Sequence, residues 1–197
     1  MIEIVDPNVL DATFLAANLR EADVREIACI LPPDLPVAEA VAQIIMGSPI
    51  SHIVRRNGDP IAAFGAGPIN HVVWQLWAFG TRDLWRAIPA ISKHLWAMGD
   101  TMIEMGIRRL EVRAWKGHDL APLWLRKVGC TYVTDLSDHG RSGEVFELWV
   151  WTATDYRNGS MRGRRGADRN VPWQSAIASK SPAANAASNS AGCAAGG

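Results

Sequence analysis

The sequence predicts a single α/β domain of the α+β kind over residues 1–156, and three observations predict it. The dipeptide Asn57-Gly58 lies between two extended runs, and both residues tolerate the positive φ that a tight hairpin turn requires. A nearly unbroken apolar run over residues 71–79 is typical of a central strand. The apolar residues of segment 84–105 recur at alternating spacings of four and three, which predicts a long helix with one core-facing side.

The remaining elements follow from the same two periodicities. Asp6-Pro7 predicts a helix start, with Asp6 as the N-cap and Pro7 at the first helical position. A second helical pattern ends at Pro32-Pro33, because proline lacks the backbone N–H that a helix interior uses. The other predicted segments, in chain order, are strand 2–5, helices 21–30 and 37–46, strands 51–56 and 59–64, strand 108–114, helix 118–128, and strands 131–136 and 144–152.

Residues 157–197 differ from the domain in composition and charge. This segment carries six basic side chains against the single acid Asp168, a net charge of +5, and because the whole chain is neutral, residues 1–156 carry −5. It is rich in Ala, Ser, Asn and Gly, so it buries too little apolar surface to offset the entropy of ordering, and we expect it to be flexible. The charge contrast predicts an acidic or polyanionic partner, with a solubilising role as the alternative. The residues expected to bind that partner are Arg162, Arg164, Arg165 and Trp173.

Cysteine spacing and hydropathy argue against several classes of protein. The three cysteines, Cys29, Cys130 and Cys193, form neither a CxxC pair nor a Cys/His cluster, so no metal site is predicted. Residues 1–4 lack the basic and apolar regions of a signal peptide, and no window reaches the about 18 uncharged apolar residues of a membrane span. We therefore expect synthesis in a cytoplasm and no membrane span. The nine tryptophans indicate either aromatics at an interface or a Trp-rich core.

The order of the predicted elements resembles that of the GNAT superfamily of N-acetyltransferases over about residues 1–152. Its best local anchor is segment 118–130, which is similar to the GNAT stretch where an Asn begins a helix, Ala and Tyr follow, and Gly-Phe ends it. Two positions match, Ala121 and Gly129, and three are replaced, the Asn by His118, the Tyr by Leu125 and the Phe by Cys130. The resemblance implies a GNAT-like fold, with a central mixed, mostly antiparallel sheet flanked by helices.

The resemblance also implies three catalytic parts, which this sequence does not show. The pyrophosphate of acetyl-CoA needs a loop of the pattern Gln/Arg-x-x-Gly-x-Gly/Ala at a helix start, but segment 80–86 has its only glycine at its first position. Leu125 has no proton to give to a leaving thiolate, and segment 71–79 contains no carboxylate to act as a base. We therefore predict no catalytic residue and no cofactor. If the chain is instead an atypical acyl-CoA-dependent N-acetyltransferase, the residues expected to contact acetyl-CoA are Gly80, Thr81, Arg82, Arg86 and His118.

A narrower resemblance concerns proteins of short-tailed bacteriophages. Segment 18–27, Asn-Leu-Arg-Glu-Ala-Asp-Val-Arg-Glu-Ile, and segment 77–81, Trp-Ala-Phe-Gly-Thr, are similar to GNAT-like phage proteins related to the T7-type internal virion protein A. This resemblance implies a structural or ejection-related virion protein, present in several copies, that acts through contacts with portal, tail or core proteins. The basic tail adds packaged DNA as a possible contact. Two hypotheses therefore stay open, a non-catalytic virion module and an atypical acetyltransferase.

Overall fold

The computed structural model describes residues 1–118 and 120–158, and the partner-binding residues predicted in the tail lie outside this part of the chain. The elements, in chain order, are β1 (Ile2–Val5), α1 (Val9–Ala17), α2 (Glu21–Ile30), α3 (Val37–Gly47), β2 (Ile50–Arg56), β3 (Asp59–Pro68), β4 (Val73–Gly80), α4 (Leu84–Glu104), β5 (Arg109–Trp115), α5 (Ala121–Lys127), β6 (Thr131–Leu136), β7 (Phe146–Thr152) and α6 (Ala153–Asn158). Each predicted element is present in the predicted order, and α6 is an element that the sequence patterns did not reveal.

Seven strands form one sheet in the order β1-β2-β3-β4-β5-β7-β6. β4 and β5 run parallel, and every other neighbouring pair is antiparallel, so the predicted mixed, mostly antiparallel sheet is confirmed. The hairpin between β2 and β3 turns at Asn57 and Gly58, whose φ angles are 54° and 95°. These are left-handed values, which Asn and Gly adopt more readily than other residues.

The predicted start of α1 is wrong by two residues. Asn8, not Asp6, is the N-cap, because its side-chain oxygen accepts a hydrogen bond from the backbone N–H of Asp11 at 3.0 Å. Asp11 in turn forms an ion pair with Arg55 on β2 at 2.6 Å. Asn8 satisfies the same local capping preference as Asp6, and the ion pair of Asp11 joins the first turn of α1 to the sheet.

Helices cover both faces of the sheet and divide the core into two clusters. On one face α1, α2 and α3 pack over residues such as Ile53, Ala63 and Phe79. On the other face α4, the longest helix, packs over residues of β2, β3, β4, β5 and β7. The two-sided packing explains the near-continuous burial of β2 and β3, whose residues face a helix layer whichever way they point. Among the described helices, none combines the length and the apolar character that crossing a membrane requires.

The unpredicted helix α6 is held by a close contact between Gly99 on α4 and Tyr156. The ring of Tyr156 lies where a β-carbon on Gly99 would be, and Tyr156 itself is buried beside Trp151. Gly99 thus leaves a space on α4 that the aromatic ring fills. No periodicity in a six-residue segment signals such a contact, which is why α6 was missed.

We expect Gly99→Ala to destabilise the domain by about 2 kcal/mol, because the added methyl group must displace Tyr156 from a packed core. Urea unfolding measures the change. Gly47→Ala is the matched control, since a β-carbon on helical Gly47 meets nothing within 4 Å. The control should be neutral or stabilise by up to about 1 kcal/mol, because alanine favours helix more than glycine. Equal stability of the two variants would contradict the role given to the Gly99–Tyr156 contact.

Candidate functional site

A gap in the sheet between β4 and β5 forms the candidate site. The two strands pair through Val73–Gln75 and Arg109–Glu111, and beyond these residues they separate. The gap opens into a pocket of about 630 Å³, which is within the size range of small-molecule sites. Because the pocket passes between two strands, its walls come from both faces of the sheet.

On the face of α2 and α3 the wall is aromatic and aliphatic. Successive strand residues point to opposite faces, and Trp77 and Phe79 of β4 point to this one. Their rings stack with centroids 4.7 Å apart. The indole N–H of Trp77 donates to Oγ of Ser48 at 3.0 Å, which fixes the ring at the pocket wall. Aliphatic residues complete this side, namely Ile27, Ile30, Leu31 and Ile44.

On the opposite face the pocket is a groove between α4 and α5, which we call the α4–α5 groove. It is lined by Trp85, Ile88, Leu120, Leu123 and Trp124. The indole N–H of Trp124 donates to Oγ of Ser92 on α4 at 3.1 Å, which ties the two helices together. The rim is apolar yet open to solvent, since Trp85, Leu120 and Leu123 are 61%, 64% and 63% exposed.

Four residues close the pocket where the ends of β4 and β5 diverge, and we call them the Asp23 network. The carboxylate of Asp23 accepts from the guanidinium of Arg20 at 2.8 Å and from the backbone N–H of Gly80 at 2.9 Å. Nη2 of Arg20 also lies 2.8 Å from Nε2 of His118. Arginine can only donate, so Nε2 of His118 is the acceptor in this contact. The network joins the start of α2 to the end of β4 and to the segment after β5.

Glu26 of α2 lines the pocket beside this network. Burial, followed by the charge of Asp23, raises the pKa of Glu26 to about 7, against the smaller lowering effects of a hydrogen bond from the Trp115 backbone and of the Arg20 charge. A carboxyl that titrates near neutrality in a cleft has the property of a general base or acid, although buried structural carboxyls show it as well. Among the described residues, Glu26 is the strongest candidate for acid–base catalysis.

Glu26 is not among the residues that the sequence predicts for the site, because the resemblance places the expected base on the central strand. The usable signal was the helical spacing of Asp23, Glu26, Ile27 and Ile30, which places Glu26 on the buried side of α2 at i+3 from another carboxylate. The pattern alone does not show that this helix faces a gap in the sheet. That fact depends on the separation of β4 from β5, which follows from tertiary packing.

The start of α4, where a pyrophosphate would be expected, is occupied by the chain's own acceptors. Five of the seven backbone N–H groups of residues 80–86 donate within the protein. Their acceptors are the carboxylate of Asp23, the carbonyl oxygen of Ile61, both oxygens of Thr81 and the carbonyl oxygen of Asp83. Gly80 is also confined, because a β-carbon there would lie 2.5 Å from the carbonyl oxygen of Ile61.

The structure separates the five residues proposed to contact acetyl-CoA. His118 lines the pocket, and Gly80 joins it in the Asp23 network. Thr81, Arg82 and Arg86 are not among the described residues that line the pocket. Arg86 forms an ion pair with Asp83 at 3.0 Å and lies 4.2 Å from the ring centre of Trp85.

Two further expectations from the sequence concern the position of Leu125 and the binding of metal ions. Leu125, which stands where the resemblance expects a tyrosine, is buried and forms part of the pocket floor. Among the described residues, no group of three His, Cys, Asp or Glu side chains is arranged to hold a metal ion.

Comparison with known proteins supports the fold at low sequence identity. No protein-family model and no curated protein matches the chain. Among solved structures, it is similar to a spermidine N-acetyltransferase from Vibrio cholerae in complex with CoA and spermine, with 12% identity, a TM-score of 0.60, and 80% and 98% of the two chains covered. A ribosomal-protein-alanine N-acetyltransferase from Brucella melitensis matches with 15% identity, a TM-score of 0.59, and 76% and 99% covered.

A GNAT-family acetyltransferase from Bacillus anthracis is also similar, with 12% identity, a TM-score of 0.58, and 78% and 95% of the chains covered. The described domain therefore has the GNAT fold, as the resemblance implied. At such identities the likeness shows the fold alone, and one fold supports many functions.

Acetyl-CoA, the cofactor that this fold implies, does not fit the start of α4. A pyrophosphate requires free amides at a helix start, and here most are already bonded. It also favours positive surroundings, whereas the carboxylate of Asp23 accepts from the Gly80 amide and a second acid, Asp83, is the residue before α4. Internal hydrogen bonds thus occupy five of the seven amides of residues 80–86 that a pyrophosphate at this helix start would use.

Proposed function

We propose that this chain is a non-catalytic GNAT-fold module that acts through contacts with other proteins. The observation that carries the proposal is the occupied start of α4, where Asp23, Ile61, Thr81 and Asp83 accept the amide hydrogens that a pyrophosphate would need. Leu125 supports it, because a hydrocarbon side chain offers no proton to a leaving group. The exposed apolar rim of the α4–α5 groove supports protein contacts, since such patches mark interaction sites.

We further propose that these contacts are made in a virion of a short-tailed bacteriophage. The support is the resemblance of segments 18–27 and 77–81 to GNAT-like phage proteins. Residues 157–197 add a basic arm with one tryptophan, which suits an acidic portal, tail or core protein or packaged DNA. Several copies per particle would be expected of such a component.

Mass spectrometry of purified particles tests the virion proposal. We expect the chain in particles of the phage that encodes it, and we expect particles made with a chain that lacks residues 157–197 to lose it. Retention of the truncated chain would show that the arm is dispensable. Absence of the full chain from particles would contradict the virion assignment.

A second candidate function, an atypical acyl-CoA-dependent N-acetyltransferase, is favoured by Glu26 alone. Its raised pKa and its place in the pocket suit a group that accepts a proton from an amine. A screen of amines with acetyl-CoA distinguishes the two candidates. Acetyl transfer that is lost in Glu26→Gln, and that rises with pH around 7 in the unaltered protein, would favour the enzyme and contradict our main proposal.

A further inference from the structure

The α4–α5 groove combines three features that together describe a binding surface. Its floor is continuous with the gap in the sheet, its walls are apolar, and its rim residues Trp85, Leu120 and Leu123 are more than half exposed. A single exposed leucine needs no explanation, but three large apolar side chains around one cavity form a patch that water solvates poorly.

The charges around this groove differ from those of the rest of the domain. The charged residues that line the pocket are Arg20, Asp23, Glu26, Arg113 and Lys127, three basic and two acidic, and Asp23 is paired with Arg20. Beside the groove, Arg82 stands before α4 and adds a further positive charge, while Arg86 is paired with Asp83. Residues 1–156 as a whole carry a net charge of −5. The groove is therefore a locally positive opening on an acidic body.

This charge pattern decides between possible occupants. The chain's own tail, residues 157–197, has a net charge of +5 and would be repelled by the basic residues beside the groove. A second copy of this chain also has an acidic body. If the two copies met through the same face, however, the basic residues beside one groove would face those beside the other. An acidic segment of another protein meets no such conflict, and its apolar side chains would cover the exposed rim.

We propose that the α4–α5 groove binds an acidic amphipathic segment of a partner protein, which inserts large apolar side chains between Trp85, Leu120 and Leu123. This inference rests on the proposed function, because it names the kind of partner that a contact module would hold. Ile88 and Trp124 form the base on which an inserted side chain packs. Lys127 lines the groove and Arg82 stands before α4, where each can meet an acidic residue beside the insertion. Apolar anchors within a polar rim are the usual arrangement of protein interfaces.

Selection from a random 15-residue displayed peptide library on the full-length protein tests this inference. We expect the enriched peptides to be acidic and to carry Leu, Phe or Trp at helical spacings of three and four. A synthetic copy of the most enriched peptide should bind Leu123→Ala at least about tenfold more weakly than the unaltered protein. Leu10→Ala, at an exposed helical leucine on α1 away from the groove, is the matched control and should leave the affinity unchanged.

Charge reversal provides a second, independent readout. Arg82→Glu combined with Lys127→Glu should weaken the acidic peptide about tenfold, and raising the salt concentration should shrink that difference. Arg25→Glu on α2, whose side chain is 62% exposed, is the control for a change of charge elsewhere on the surface.

Several results would overturn the inference. No enrichment, enrichment without acidic bias, or equal binding to Leu123→Ala and Leu10→Ala would each do so. Self-association lost in Leu123→Ala alone would show that a second copy occupies the groove, and displacement of the peptide by acetyl-CoA would show a cofactor site. The chain could still be found in purified particles in each case, so failure here is distinguishable from failure of the proposed virion function.

Discussion

Replacing Asp23 with alanine is expected to destabilise the domain by about 3 kcal/mol. The change leaves Arg20 without its ion-pair partner and the backbone N–H of Gly80 without its acceptor, and the Asp23 side chain is almost fully buried. Removing one partner of a buried ion pair costs about 3–5 kcal/mol. We expect the lower end of this range, because Arg20 retains 24% exposure and can be partly solvated. Urea unfolding at pH 7 measures the difference.

Asp23→Asn is the matched control for this substitution. Asparagine keeps one oxygen for the Gly80 amide, but its NH2 group takes the place of the oxygen that accepts from Arg20, so its cost should be smaller than that of Asp23→Ala by about the contribution of the Gly80 hydrogen bond. It should also lower the pKa of Glu26, since the Asp23 charge is one of the causes of the raised value. Equal stability of the unaltered protein and Asp23→Ala would show that the network does not hold α2 to the end of β4.

Replacing Glu26 with glutamine is expected to stabilise the domain at pH 8 by up to about 3 kcal/mol and to change little at pH 4. Below pH 4.5 the carboxyl is protonated in both the folded and the unfolded states. As the pH rises, the unfolded chain loses this proton near 4.5, whereas the folded domain holds it until about 7. Stability therefore falls across this window, by about 1.4 kcal/mol for each unit of pKa difference. Glutamine stays neutral and avoids the loss.

Unfolding free energies of both proteins from pH 4 to 8 provide the test. Burial lowers the pKa of His94 to about 4, so His94 reduces the free energy of unfolding as the pH falls. In the unaltered protein this loss opposes the Glu26 effect and partly masks it. That contribution is common to both and cancels in their difference. A difference that does not change with pH would contradict the buried environment of Glu26.

Sequence patterns predicted the elements of this fold because most of them depend on local periodicity. The stripe of α4 and the Asn57-Gly58 turn each follow from backbone preferences and burial within one segment. The existence of α6 was not predicted, since a contact with Gly99, more than 40 residues away in the chain, determines it. The start of α1 was predicted two residues early, because Asp6 and Asn8 both satisfy the local capping preference and the structure uses Asn8.

The candidate site was less predictable than the fold for the same reason. The single glycine of segment 80–86 can be read from the sequence, but the sequence did not show that Asp23 of α2 bonds to the amide of Gly80. Nor did it show that Glu26 faces the gap between β4 and β5. A site built from separate segments has no local spacing that identifies it, whereas the absence of a local motif can be read directly.

Isothermal titration of the full-length protein with acetyl-CoA tests the central claim most directly. Because the amides at the start of α4 are already bonded and carboxylates lie beside them, we expect no binding with a dissociation constant below about 1 mM, and no change in Arg82→Ala combined with Arg86→Ala. A dissociation constant in the low micromolar range, weakened by that pair of substitutions, would show that the start of α4 holds the cofactor and would contradict the non-catalytic account.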